Sequence, residues 1–514
     1  MISRSFQSFV YAENFYGVNA EDTPENMLEG EWDDASINIF SDPQGALGSR
    51  PGFSALTTAS IGTSVAWTGF FQFDKHASGS TTSYFLGGGS DGKLYKYESN
   101  AYTELYKDLT TGVNVRWSFF TLNNIVTAIN GNDQPLQWAG TGSATTFATT
   151  VTSDFGIEWQ RYGWLHSTVD PRLVYYTTTL GDPTSAYTSN LNFDMDGEKV
   201  IGLSKQGDDM LVGKRSALYR VQYRGTTPLF KIYRVPSKIG PVCHWVMKEL
   251  PDGRVIFLAN DYNFYMVVGD NIIPVGKNIR KYIKSGVNSR LPQAVSGLLY
   301  ARSQYWCSFT YTSGATTNDR TVVMDWSRPY QDKFGKLQYP WFIYSIGANA
   351  FAEVNISGQD LLYHGDYAGR MHKDDTGTND NGSLFISSYK SKFISHGDPT
   401  VEKKWSKFAF SYENKGSWNL DIAFVADNNA NTQKITTQSM SGGIGGQALF
   451  DVAIFDVDSF SSESDADVSH DIDRQGKTLQ ITLGTDGLDE SWLVHSYSLQ
   501  AKALRRGVSR IREG

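Results

Sequence analysis

The stretch GGSDG, Gly88 to Gly92, satisfies the letter pattern G-x-S-x-G of a hydrolase nucleophile elbow, so Ser90 is the first residue to ask about chemistry. An elbow needs a strand, a sharp turn and then a helix, with the serine exposed at the head of that helix. After Gly92 the chain continues KLYKYE, which alternates large apolar and charged side chains as a strand does. Asp91-Gly92 is also a strong hairpin dipeptide, because glycine accepts positive φ without steric cost. Ser90 is therefore read as a turn residue.

The other candidates fall on similar grounds. Gly476-Lys477-Thr478 ends like a phosphate-binding loop, but that pattern requires a glycine where this chain has Asp471, and a strand comes next instead of a helix. Acidic runs at 374–380 and 463–473, with Asp465, Asp467, Asp471 and Asp473 in the second, offer oxygen ligands for Ca²⁺ yet do not complete an EF-hand, and they read as solvated loops. His364 and His372 are expected on the two arms of one hairpin, and two imidazoles without a third ligand make a poor zinc site. Cys243 and Cys307 read as two free thiols in a reducing compartment. No catalytic, cofactor-binding or metal-ligating residue is assigned, and the chain is read as a non-enzyme.

Composition indicates what must position such residues. The 514 residues include 13 Trp, 28 Tyr, 29 Phe and 49 Gly, with charged residues at only 19%, a balance that favours β-structure with many turns. The formal net charge of -8 gives no sign of an overall basic surface that grips nucleic acid. No segment approaches the roughly 18 apolar residues of a membrane span, and the N-terminal apolar run is too short for a signal sequence, so a protein made in a cytoplasm is expected. Helical periodicity is confined to 24–30 and 278–284.

One unit recurs along the chain: an apolar strand, a few turn residues, then a strand opening with a large apolar residue. Taking Leu94, Leu136, Leu173, Leu218, Phe264, Trp306 and Met371 as equivalent, the steps are 42, 37, 45, 46, 42 and 65 residues, mostly the length of a four-stranded propeller blade. The long step contains an insertion at 313–340. These spacings predict an all-β fold, with a β-propeller of six or seven blades over 61–375, its aromatics filling the spaces between blades. The remainder divides into an N-terminal arm at 1–60, a polar linker at 376–384 and an antiparallel β-domain at 385–514. That domain has long loops at 428–447 and 459–475 and ends in a basic tail carrying Lys502, Arg505, Arg506, Arg510 and Arg512.

The segment GVNAEDTPENMLEGEWDDASINIFSDPQGALGSRPGF, Gly17 to Phe53, resembles the N-terminal signature of tail nozzle or hub proteins of short-tailed bacteriophages. Gly17, Asn19, Pro24, Gly30, Glu31, Asn38, Gly45, Arg50, Pro51 and Gly52 carry the likeness. Residues 237–279 are similar to a blade of such proteins through Ile239, Gly240, Gly253, Phe257, Leu258, Tyr265 and Ile279. The resemblance implies a propeller with a platform made from the arm and the C-terminal β-domain, in a virion structural protein assembled in the host cytoplasm. It further implies a homohexameric ring below the tail adaptor, contacts with the portal-proximal ring and other tail proteins, and genomic DNA passing through the lumen without specific binding. An acidic protein suits such a lumen, since like charges give a polyanion nowhere to rest. The reading from another class is a carbohydrate-binding or carbohydrate-active propeller, whose mark would be paired carboxylates beside exposed tryptophans.

Overall fold

The computed structural model describes residues 7–12, 14–24, 26–77, 79–147, 151–440 and 465–504, with no side chains described at 7–12, 195 and 465–466. The chain forms two compact units, each discontinuous: Phe53–Ser327 with Ser345–Thr376, and Met1–Gly52 with Arg328–Tyr344 and Gly377–Gly514.

The first unit is a seven-bladed β-propeller. Blade 1 is Trp67–Ala77, Ser80–Gly89, Leu94–Glu98 and Ala101–Tyr106, and blade 2 is Ser118–Leu122, Ile125–Ile129, Leu136–Trp138 and Thr145–Thr146. Blade 3 runs from Gly156–Trp159 to Ser189–Asn192, blade 4 from Val200–Gln206 to Phe230–Val235, and blade 5 from Lys248–Glu249 to Asn271–Pro274. Blade 6 takes Val295–Leu299, Gln304–Phe309 and Arg320–Asp325 from this unit. Blade 7 is Ala350–Ile356, Gln359–Gly365 and Met371–Lys373, completed by Ser54–Ala55, which pairs with His372 and Lys373. The first strand of each blade contacts the first strand of the next, and blade 7 returns to blade 1, so the ring closes. Closure by a strand from the other end of the unit ties its first and last segments together and leaves no long open edge.

Aromatic side chains pack between blades, as their number suggested. Trp159, Tyr162, Trp164, Tyr219 and Phe230 join blades 3 and 4, while Phe73, Trp117 and Trp138 join blades 1 and 2. Each buried aromatic removes about 150–250 Å² from water, a gross gain of roughly 4–6 kcal/mol before chain entropy is subtracted.

The sequence repeat holds in phase for five blades and slips at the sixth. Leu94, Leu136, Leu173, Leu218, Phe264 and Met371 all open or lie at the start of third strands, but Trp306 belongs to a second strand. The third strand of blade 6 is Arg320–Asp325, inside the stretch read as an insertion, and 328–344 then leave the propeller for the other unit. The helical stretch 277–293 and the loop 310–319 precede that strand and delay it, and 328–344 lengthens only the step that follows.

The second unit is an antiparallel β-sandwich. One sheet orders Ile39–Ser41, Leu47–Ser49, Leu493–Ala503, Lys403–Glu413 and Asp465–Gly476, with Gln7–Ala12 also on Leu493–Ala503. The other orders Ser387–Lys390, Leu479–Thr485, Asn419–Ala426 and Lys434–Ser439. Phe408 of the first sheet meets Phe424 of the second edge-on at 5.5 Å, which places the core between the sheets. Two expected loops are in part strands: 465–476 pairs with Lys403–Glu413, and Lys434–Ser439 edges the second sheet. Their polar residues alternate with inward ones, so composition alone read them as loop. Residues 24 and 26–30 are turns, bends and irregular chain where a helix was expected, with the Asn26 and Met27 amides both donating to Thr23 O, whereas the helix expected at 278–284 is present as α1, Lys277–Ser285. Of the basic tail only Lys502 is among the described residues; Arg505, Arg506, Arg510 and Arg512 lie outside them.

Candidate functional site

The residues of the N-terminal signature converge within the sandwich unit, and each has a mechanical reason to be what it is. Arg50 is buried at 1% exposure, and its guanidinium donates twice to the Asp380 carboxylate, at 2.8 and 2.7 Å. Nε donates to Asn38 Oδ1 at 2.9 Å, Nη1 also reaches Pro51 O at 2.9 Å, and the plane lies 4.0 Å from the Phe385 ring centroid. A planar fork with a bidentate carboxylate, an amide and an aromatic face is a site that lysine cannot reproduce. Asn38 holds a left-handed backbone (φ 56°) and donates through Nδ2 to Ile386 O at 2.8 Å. Gly52 donates its amide to Gly377 O, and a Cβ there would collide with Asn379 O. The segment expected to be a polar linker thus supplies the other half of this ion pair.

A second cluster centres on Glu31, which is 3% exposed. Its Oε2 accepts from Asn19 Nδ2 at 2.8 Å and from the Leu28 amide at 2.9 Å, and its Oε1 accepts from Tyr330 Oη at 2.9 Å. Gly17 (φ 101°) lies so close to Trp341 that a Cβ would strike its backbone, which leaves only glycine. Arg328 donates to Asp42 O and Ser41 O at 2.5 and 2.9 Å. The excursion at 328–344 is therefore tied to the arm by Tyr330 and Arg328.

In the propeller, a cavity of about 500 Å³ opens among the loops of blades 3 to 6, lined by Asp154, Lys199, Arg215, His244, Asn260 and Ser289 among others. Phe155 is stacked between two imidazoles, His166 and His244, each with ring centroids 4.6 Å away. His166 Nδ1 lies 2.6 Å from Asp154 Oδ1 and Nε2 lies 3.1 Å from Pro171 O. Burial holds the His244 imidazole down to about 4, only partly opposed by the Asp154 carboxylate, and Nδ1 accepts the Leu203 amide. Cys243, next to this histidine, points its thiol at Ala294 O, and burial pushes the thiol up to about 12. A thiol kept protonated is no nucleophile.

Ser90, the two histidines and the Gly476-Lys477-Thr478 amides, singled out from the sequence, find protein partners. Ser90 Oγ accepts the Ala66 amide at 2.9 Å while its own amide donates to Ala66 O, so the hydroxyl fixes a turn. Asp91 Oδ2 accepts from Tyr95 Oη at 2.6 Å, and the same bond recurs in blade 5 between Tyr265 and Asp261, also 2.6 Å. In blade 7 the tyrosine's place after the strand-opening apolar residue is taken by His372, whose Nε2 lies 3.1 Å from Asp366 Oδ2. His364, cross-strand from it, lies 2.7 Å from Asp374, and the two rings stack at 4.9 Å. The histidine pair is thus a variant of the turn motif. At Gly476-Lys477-Thr478 the amides of Lys477 and Thr478 both donate to Asp427 Oδ1, at 2.7 and 2.8 Å, so the chain's own carboxylate sits where a phosphate would.

Among the described residues no three His, Cys, Asp or Glu side chains are placed to hold a metal, and no helix is long and apolar enough to cross a membrane. None of the 13 tryptophans is exposed, and Trp245, Trp326 and Trp418 are half-buried.

No family model matches the chain, and no curated protein matches it. Three solved structures similar to it are YCF48 bound to D1 peptide (TM-score 0.39, 12% identity, 63% of this chain and 97% of that one), YCF48 from Cyanidioschyzon merolae (0.36, 8%, 63% and 98%), and BBS1N in complex with ARL6DN (0.40, 10%, 65% and 99%). The propeller assignment rests on the seven sheets themselves.

The structure brings together residues that no sequence motif joined. Arg50 and Asp380 are 330 positions apart, and Glu31 and Tyr330 are 299 apart. The signature flagged Arg50, Glu31, Asn19 and Asn38, and Asp380 fell in an acidic run read as solvated loop, but nothing in the sequence paired Asp380 with Arg50 or Tyr330 with Glu31. Chemically these clusters hold a fold together: every charged atom named in them is bonded within the chain.

Proposed function

We propose that the chain is a virion structural protein, the distal tube or nozzle of a short phage tail, which forms a ring that retains the packaged genome and provides the channel for its ejection. The observation that carries this reading is the bonding of the N-terminal signature. Gly17, Asn19, Glu31, Asn38, Arg50 and Gly52, six of the ten residues that resemble tail nozzle proteins, are all committed to one discontinuous β-unit in addition to a complete propeller. A propeller closes on itself and needs no further domain for stability, so a separate unit assembled from three stretches of chain is there for contacts with other subunits.

In this reading about six copies close the ring, consistent with the commonness of cyclic symmetry in assemblies. Neighbouring tail rings lie above and below it. The chemistry required is that of shape and surface: no bond is made or broken, and the acidic net charge of -8 keeps genomic DNA from adhering along the lumen. Electron microscopy of the full chain assembled with its tail partners tests the reading. Rings with an open centre are expected, while isolated single chains decorating no ring would overturn it.

A further inference from the structure

The chain carries 54 acidic residues, yet between Asp270 and Asp319 there is none, while Lys277, Arg280, Lys281, Lys284, Arg290 and Arg302 all fall in that interval. Four of the six lie on α1, which comes directly after blade 5. Asn278, Ile279, Tyr282 and Ile283 bury one face of this helix, and Tyr282 stacks on Tyr311 at 4.3 Å. Arg280, Lys281 and Lys284 are exposed on the other face, with Lys277 half-buried beside them. The spacings of three, four and seven residues align the four cations along one stripe.

The stripe is unfavourable to the helix that carries it, although Arg280 Nε donates to Asp261 O at 3.2 Å. Lys277 and Lys281, and Arg280 and Lys284, are like charges at i,i+4, which repel. Lys277 stands in the first turn, where the helix dipole disfavours a cation, and that turn has no acidic residue. Several acidic groups of the adjoining loops have partners of their own. Asp261 accepts from Tyr265 Oη at 2.6 Å, Asp319 from the Tyr311 amide at 2.6 Å, Glu198 from the Ser216 amide at 2.9 Å, and Asp154 lies on His166. The cavity whose lining includes Asn288 and Ser289, just after α1, also has Lys199 and Arg215 on its wall.

We infer that this basic face binds the phosphate backbone of duplex DNA. Lysine-rich, polar and lacking an exposed aromatic anchor, the face has the composition of a wet phosphate contact, whereas the centres of protein interfaces are poor in lysine and built on aromatic anchors. Three lysines act as point charges on successive phosphates, and Asn288 and Ser289 add polar donors at the margin. The inference goes beyond the ring reading and does not depend on it, because it concerns a surface of one folded chain. It also refines the expectation from net charge, since a locally basic helix can engage DNA on an acidic protein.

The test is fluorescence anisotropy of a labelled duplex of about 20 base pairs titrated with the full chain at roughly 50 and 200 mM salt. With four phosphates neutralised, affinity is expected to fall roughly 150-fold between the two salts. Joint substitution Lys277→Gln, Arg280→Gln, Lys281→Gln and Lys284→Gln should weaken low-salt binding at least about tenfold and flatten the salt dependence. The milder pair Lys281→Gln and Lys284→Gln should reduce the salt slope by about two, and Lys277→Arg with Lys281→Arg and Lys284→Arg should keep it, which separates charge from folding. Binding unchanged in the milder pair overturns the proposal. So does displacement of the duplex by polyglutamate at equal charge concentration, which would assign the face to an acidic protein.

Discussion

The propeller and the sandwich unit solve the same problem in opposite ways. The propeller repeats one four-stranded blade seven times, with an aspartate fixing the turn in blades 1 and 5 and aromatics filling seams such as that between blades 3 and 4. The sandwich unit repeats nothing. Its N-terminal and C-terminal stretches share a sheet, and the three stretches are further joined by single polar clusters, among them Arg50 on Asp380 and Glu31 under Tyr330 and Asn19. Repetition spreads stability over many equivalent contacts, so no one residue is decisive, whereas a unit held by unique buried charges concentrates it in a few.

Arg50→Ala is expected to have the largest effect, because it leaves the Asp380 carboxylate without its bidentate partner. About 3–5 kcal/mol should be lost, seen as an early shift of one transition in chemical unfolding while the propeller's transition stays in place. A common shift of both transitions would erase the distinction between the units. Trp164→Ala, in a blade core at 0% exposure, should cost about 3–5 kcal/mol and shift the other transition only. Neighbouring seams limit the damage, so partial unfolding confined to blades 3 and 4 in hydrogen exchange is expected.

Acid should act on the propeller through His244. Its folded value near 4 lies below the ordinary 6.5, so the neutral form is favoured by folding. That stability is fully present above pH 6.5 and is lost as the pH falls toward 4. A propeller transition weaker by about 1–3 kcal/mol at the acid end, with the slope removed in His244→Gln, would sharpen the contrast with the sandwich unit. A slope unchanged by that substitution would assign it elsewhere. The smallest effect belongs to Ser90→Ala, which removes one hydrogen bond to the Ala66 amide and should cost about 1 kcal/mol or less without changing assembly.

The same contrast decides what could be read in advance. Blades are local, so their turns and strand openings appear in the sequence within a few dozen residues, and Asp91-Gly92 set a phase that held through Phe264. The phase failed at Trp306 because the helical stretch 277–293 and the loop 310–319 push the third strand of blade 6 back to Arg320–Asp325, and only after it do 328–344 pass to the other unit. In the sandwich the strand alternation of 405–413 and 418–427 was legible, but partner choice was not. A buried arginine is chosen by a carboxylate 330 positions away, and Asp380 sits in a run of Gly, Thr, Asn and Asp that reads as linker. The basic face of α1 was present as an interval free of acid, yet net charge over the whole chain concealed it.

The most direct test of the ring is the mass of the full chain in solution with its tail partners present, measured by light scattering after separation. A species near six times the 57.2 kDa of one chain is expected, collapsing toward single chains in Arg50→Ala. A wild-type chain that remains at 57.2 kDa beside those partners would contradict the account.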